Sequence, residues 1–289
     1  MRPVQADDAA SENRATVRIA VAVSVTGGTV VCPLVEPGLA GTTMEDLMLR
    51  RLLTLSIILL ASASARADLV TLESVAHGTL YQTKGDQLAN GLGQHLFAGN
   101  NGQNLTRRGL IRFDPDGLRD VVVESAVLRL HVSQANEAPS VVSLHRVLSA
   151  WGVGSTDAPG GEGGGGPATP GSATWTQAFF GKVPWTTPGG DFDALALAAT
   201  QVGGVGWYEW SGDDLTAAVQ AMIDEPGSNV GWLLRGDESM ASTAKRFDSM
   251  FAAAEFRPEL VVTYSAVPTP GALALLGIAG GLGRGRRRR

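Results

Sequence analysis

The stretch "SAVLRLHVS" alternates apolar and polar residues without a break. Ala126, Leu128, Leu130 and Val132 fall on one face of an extended chain, and Val127, Arg129 and His131 on the other. A period of two cannot bury one face of a helix, so it commits the segment to a half-buried antiparallel strand. The same pattern recurs in "RRGLIRF", where Gly109, Ile111 and Phe113 oppose Arg108 and Arg112, and in "SVVSLHRVL", "VGWLLRG" and "PELVVTY". Gly, Asn, Asp and Pro clusters separate these runs, as turns require. With 37 glycines and only 18% charged residues, composition also favours a loop-rich β protein.

One segment departs from the rule. In "SGDDLTAAVQAMIDEPGS", Leu215, Val219, Met222 and Ile223 recur at helical spacing. Ser211 or Asp213 is placed to cap the start, and Pro226-Gly227 ends it. Between Trp151 and Trp185 the chain is glycine-rich, with no Gly-Lys-Ser/Thr and no following helix, so a phosphate cradle is excluded and a long surface loop is expected. Strand patterns on both sides of that loop are needed to complete one core. The expected architecture is therefore all-β: one antiparallel β-sandwich, jelly-roll-like, over residues 68–266, with one short helix and long Gly-rich loops.

Both ends read as transport labels. Arg50 and Arg51 precede an apolar run, Leu52 to Leu60, and then small residues ending in Ala65-Arg66-Ala67. That run is too short for a bilayer span of about 20 residues, and the order basic, apolar, small is that of a secretory signal cleaved before Asp68. The signal occupies residues 48–67, so residues 1–47 are read as a mis-assigned gene start, with Met44 or Met48 as initiator, or as a long leader. At the other end Ala272 to Leu282 would form roughly 16 Å of helix, followed by Arg284 and Arg286 to Arg289. Basic residues are retained on the cytoplasmic side. The tail, residues 267–289, resembles the PEP-CTERM sorting signal of Gram-negative bacteria, whose V-P-E-P motif stands here as Val267-Pro268-Thr269-Pro270, with Thr269 in place of Glu. That resemblance implies transient membrane insertion, processing by a sorting protease of the exosortase type, and a place at the cell surface or in the extracellular matrix.

The body carries a second resemblance. "RRGLIRFD", "VVVESAVLRLHV", "SNVGWLLRG" and "KRFDSMFAAAEFRPELVVTY" follow one another in the order of the DNRLRE domain. The matching positions are Arg107 to Asp114, Ala126 to Leu130, Asn229 to Gly231, Phe247 to Ser249 and Arg257 to Tyr264. The resemblance implies a secreted β-sandwich related to an alginate-binding class of carbohydrate-binding module.

Charge limits the partners. Residues 68–266 hold 12 Lys+Arg and 22 Asp+Glu, a net of −10, which argues against nucleic acid, whose phosphates need a positive surface. The only cysteine, Cys32, lies in the excluded leader, so neither a disulfide framework nor a cysteine zinc site is expected. Nothing in the sequence has the form of a G-x-S-x-G elbow or an H-E-x-x-H zinc site, and His77, His95, His131 and His145 have no metal spacing, so no catalytic residues are assigned.

Three sets of candidates remain. All six tryptophans lie between Trp151 and Trp232; exposed rings stack on sugar faces, and Trp151, Trp185 and Trp210 are the ones expected at the surface. Arg108, Arg112 and Arg129, with His131, would form a basic strip if their strands shared a face, and guanidinium grips carboxylate bidentately; Arg107, Arg146 and His145 are further strand cations. Asp157, Glu162, Asp191 and Asp193 crowd the glycine-rich loops, where carboxylates and carbonyls suit a structural calcium ion. The leading expectation is a non-catalytic module that binds polysaccharide, uronate-type above neutral. The alternatives are a structural exopolysaccharide-matrix protein without a ligand site and, more weakly, a polysaccharide-active enzyme.

Overall fold

The computed structural model describes residues 23–25, 28–30, 66–136 and 138–267. The chain divides into two units, Met1–Ala63 and Ser64–Arg289. In the first, β1 (Val23–Val25) pairs antiparallel with β2 (Gly28–Val30). The predicted signal up to Ala65, and the sorting motif beyond Val267, lie outside the described residues.

The second unit is an antiparallel β-sandwich, as the alternation requires. Its first strand, β3 (Asp68–Tyr81), begins at the residue expected to follow signal cleavage and serves both sheets. Up to Glu73 it pairs with β16 (Glu259–Ala266); from Ser74 it pairs with β6 (Thr106–Phe113), after a register shift between Ser74 and Ala76. Such an irregularity bends a strand, which here carries it from one sheet to the other. Sheet I runs β13 (Gly206–Ser211), β7 (Val121–Gln134), β16, β3. At its far end β7 also pairs with β15 (Lys245–Asp248), which pairs with β5 (His95–Asn100). Sheet II runs β12 (Phe192–Val202), β8 (Ser140–Val147), β14 (Trp232–Arg235), β6, β3. Gly99 and Asn100 of β5 reach back to Arg107 and Thr106, so β5 also links the sheets.

Between the sheets lies the main core. Ala126, Leu128, Leu130 and Val132 point into it from β7, and Ile111 and Phe113 from β6, which is the parity the sequence prescribes. Trp210 and Trp232 fill its centre. Helix α1 (Asp213–Asp224) lays Leu215, Val219, Met222 and Ile223 on this core, as its spacing predicts. Its cap differs from expectation. Gly212, not Ser211 or Asp213, is the N-cap, with no side-chain bond; its carbonyl receives the Thr216 amide. Among the described residues no helix is long and apolar enough to cross a membrane.

A second apolar cluster sits on the outer face of sheet II. Leu80, Leu110 and Leu233 project outward there and are covered by Trp151, Ala173, Ala178 and Trp185 from the glycine-rich segment. That segment is thus a covering layer, not a free surface loop. Within it β10 (Gln177–Phe179) pairs antiparallel with β11 (Val183–Pro184), and its β9 (Gly166–Pro167) pairs antiparallel with β4 (Leu88–Ala89), which precedes β5. Glycine is needed where the layer crosses itself: a Cβ on Gly152 would run into the Gly171 carbonyl.

Candidate functional site

The glycine-rich layer covers the outer face of sheet II around Leu80, Leu110 and Leu233, whereas the outer face of sheet I carries no such layer. Strand alternation places Arg129, His131 and Ser133 of β7 on it. Register sets their neighbours: Trp207 of β13 lies opposite His131, Glu209 opposite Arg129, and Glu259 of β16 on the other side of Arg129. Arg129 bridges the two acids, with Nε 3.2 Å from Glu209 and Nη1 2.6 Å from Glu259. Its guanidinium lies 5.0 Å from the centre of the Trp207 ring, within cation–π range. His131 stacks on Phe256 at 4.3 Å with planes 23° apart, and stands 5.4 Å from Trp207. Trp207 is half-buried, and Phe256, on a short 3-10 turn at Ala254–Phe256, is 37% exposed. The result is an aromatic surface backed by a fixed cation.

Behind it runs a line of acids and imidazoles. His131 Nδ1 is 2.6 Å from one oxygen of Asp248, and the other oxygen is 3.5 Å from Nε2 of His95. Nδ1 of His95 lies 3.1 Å from Glu162, close enough for an ion pair but without an aligned hydrogen bond. The Glu162 carboxylate also accepts from Asn90 Nδ2 at 2.8 Å and from the amides of Gln94 and His95 at 3.0 and 2.9 Å. Burial alone would raise the Glu162 pKa; the donors from His95, Asn90 and Gln94 outweigh it and hold the carboxyl below its usual range. Glu162 has φ 64°, a left-handed conformation uncommon outside glycine. Its role is to pin the glycine-rich layer to the start of β5. His77 lies nearby, donating through Nε2 to the Gly93 carbonyl, and burial pushes its pKa down to about 4.

This face runs into a cleft of about 630 Å³ at its β5–β15 end, where the Gly161–Gly164 turn approaches. Phe97, Asn101, Arg107, Gln134, Asn136 and Arg246 line it. Polar amides and guanidinia above an aromatic residue are the group types that orient a sugar in a pocket.

The predicted residues are placed unevenly by this fold. Arg129 and His131 fall at the candidate site. Arg108 and Arg112 share a face with each other, as expected, but it is the covered face of sheet II, so no strip joins the four. Arg108 is consumed there: Nε and Nη2 are 2.7 and 2.9 Å from Glu238, Nη1 donates to the Gly189 carbonyl, and Trp175 and Phe192 flank the guanidinium at 5.0 and 5.1 Å. Arg112 lies 6.0 Å from the Trp151 ring. The tryptophan expectation is overturned. Trp151 and Trp185 are 5% exposed and Trp210 is 0% exposed, each with its indole N–H donated to a carbonyl, of Val230, Thr174 and Val142 respectively. Trp207, three residues from Trp210 and hence on the opposite face, and Trp175 are the half-buried ones.

The four acidic residues do not form one site. Asp157 is exposed; Asp191 accepts from the amides of Thr186 and Thr187 and from Ser149; Asp193 accepts from the Leu195 amide. These bonds fold the loops locally. Among the described residues no three His, Cys, Asp or Glu side chains gather as a metal site. Sequence reasoning missed Trp207, Phe256, Asp248, His95 and Arg246 as site residues. For Trp207 a signal was available in the parity of "GWYEW", which sends Trp207 and Trp210 to opposite faces. No protein-family model matches the chain, and comparison with curated proteins gives no match.

Proposed function

We propose that this protein is an exported, surface- or matrix-associated module without catalysis, which binds polysaccharide along the outer face of sheet I. Export through the residue 48–67 signal, and processing of the 267–289 tail by an exosortase-type protease during transient membrane insertion, belong to the same reading. The observation that carries it is the pairing of two accessible aromatic rings, Trp207 and Phe256, with the ordered Arg129 guanidinium between Glu209 and Glu259. Rings held in place by neighbours lose little entropy on stacking against a sugar, so the face is prepared for its ligand. Arg129 already has two carboxylate partners, so it positions Trp207 rather than offering a free charge.

The test is affinity electrophoresis of the full chain in gels containing alginate, another uronan or a neutral glucan. At least one polymer retards the wild type, and Trp207→Ala weakens that retardation about tenfold, the equivalent of about 1.4 kcal/mol. Absence of retardation in every gel would favour the structural reading, in which the sandwich is a spacer in the matrix. New reducing ends, or unsaturated-sugar absorbance, would favour the enzyme.

A further inference from the structure

We propose that the cleft at the β5–β15 end is an anion subsite, in which Arg107 and Arg246 together receive one carboxylate or sulfate group of the bound polysaccharide. The inference rests on the polysaccharide reading and assigns its charged contact to residues that the candidate strip did not include.

Arg107 carries the argument. It is buried at 4% exposure, yet its partners are all neutral. Nε donates to the Gly163 carbonyl at 3.1 Å, and Nη1 to the carbonyls of Gln82, Leu105 and Thr106 at 3.1–3.3 Å. The guanidinium lies 5.0 Å from the Tyr81 ring centre. Among the described residues no carboxylate comes within 4.0 Å of it, and Nη2 has no hydrogen-bond partner. Burial lowers its pKa, the sign of a cation that has lost water without gaining an anion. Buried charges are ordinarily paired, and one that is not is a strong attractor for an anion.

Arg246 lines the same cleft from β15. Its Nε donates to Ser133 at 3.1 Å, and it too has no carboxylate partner among the described residues. A third cation stands behind: Lys245 Nζ reaches the Asn136 and Ala138 carbonyls at 3.1 and 2.7 Å, and Asn136 belongs to the cleft wall. Among the described residues the acid that lines the cleft is Glu162, and its oxygens are turned to Asn90, Gln94 and His95. An electropositive pit thus sits in a domain of net charge −10, next to the aromatic face. Register puts Arg246 opposite Gln134 and Trp207 opposite His131, on the two edges of β7. Strands lie about 4.8 Å apart and rise about 3.3 Å per residue, so the two sites are on the order of 10–15 Å apart, a span of two to three sugar rings.

The experiment measures retardation of the full chain by dextran, dextran sulfate and polyuronate, for wild type, Arg246→Gln and Trp207→Ala. Arg246 is chosen because it is partly exposed, whereas replacing Arg107 endangers folding. Wild type binds the anionic polymers more tightly than dextran. Arg246→Gln loses about tenfold more on the anionic polymers than on dextran, the scale of one charge-assisted contact. Trp207→Ala weakens every polymer that binds. The stronger of the two anionic arms identifies carboxylate or sulfate as the source of the charge. Wild-type affinity of Arg246→Gln for both anionic polymers, with Trp207→Ala impaired, overturns the subsite and leaves the polysaccharide reading standing. If no polymer binds, that reading falls, and the subsite is judged by glucuronate and sulfate alone, which raise the melting temperature of wild type but not of Arg246→Gln at matched ionic strength. Equal shifts in both proteins overturn it.

Discussion

His77 shows what one buried ring does to stability. It is fully enclosed, edge-on to Phe251 at 5.5 Å, and held neutral by desolvation. Its folded pKa, about 4, lies below the ordinary 6.5. Between those values the unfolded chain takes up a proton that the folded chain refuses. Stability is therefore full above pH 6.5 and declines as pH falls toward 4, by about 3 kcal/mol from this residue alone. Glu162, also held below its usual value, adds its loss below about pH 4.5. Urea unfolding at pH 7.5 and 4.5 measures the decline, and His77→Gln flattens it by roughly that amount. An identical pH dependence in the variant would show that His77 titrates normally.

Among the elements, the glycine-rich layer departs furthest from expectation. Strands declare themselves through alternation because one of their faces is always core, so β6, β7, β8, β14, β16 and the α1 spacing were all legible. The layer between Trp151 and Trp185 has almost no periodicity. Its side chains are buried by what they land on, Leu80, Leu110 and Leu233, and that landing is set by sheet topology rather than by local sequence. For the same reason three tryptophans that looked available for a ligand are structural. Site residues were half legible: parity put Arg129 and His131 outward, but the His131–Asp248 contact spans 117 positions and leaves no local trace. If the layer is structural, Trp151→Ala opens a cavity worth about 3–5 kcal/mol in thermal or urea unfolding. Polysaccharide retardation of the folded variant stays at the wild-type level. A retardation defect as large as that of Trp207→Ala would move the binding face to sheet II.

At the scale of the whole molecule, the two sheets are used differently. Sheet II has the Leu80–Leu110–Leu233 part of its outer face covered by the Trp151–Trp185 segment, with Arg108 locked to Glu238 and flanked by Trp175. Sheet I keeps its outer face open apart from the turn that presents Phe256, and it ends in a cleft with two guanidinia that have no acidic partner among the described residues. An extended polymer needs a long unobstructed surface, and this is the one the sandwich offers. Intrinsic fluorescence tests that assignment most directly, because Trp207 is half-buried on this face while Trp151, Trp185, Trp210 and Trp232 are enclosed. Titration of a retarding polysaccharide changes the emission of wild type and of Trp175→Phe, and leaves Trp207→Phe unchanged. A change that persists in Trp207→Phe and disappears in Trp175→Phe would contradict the account.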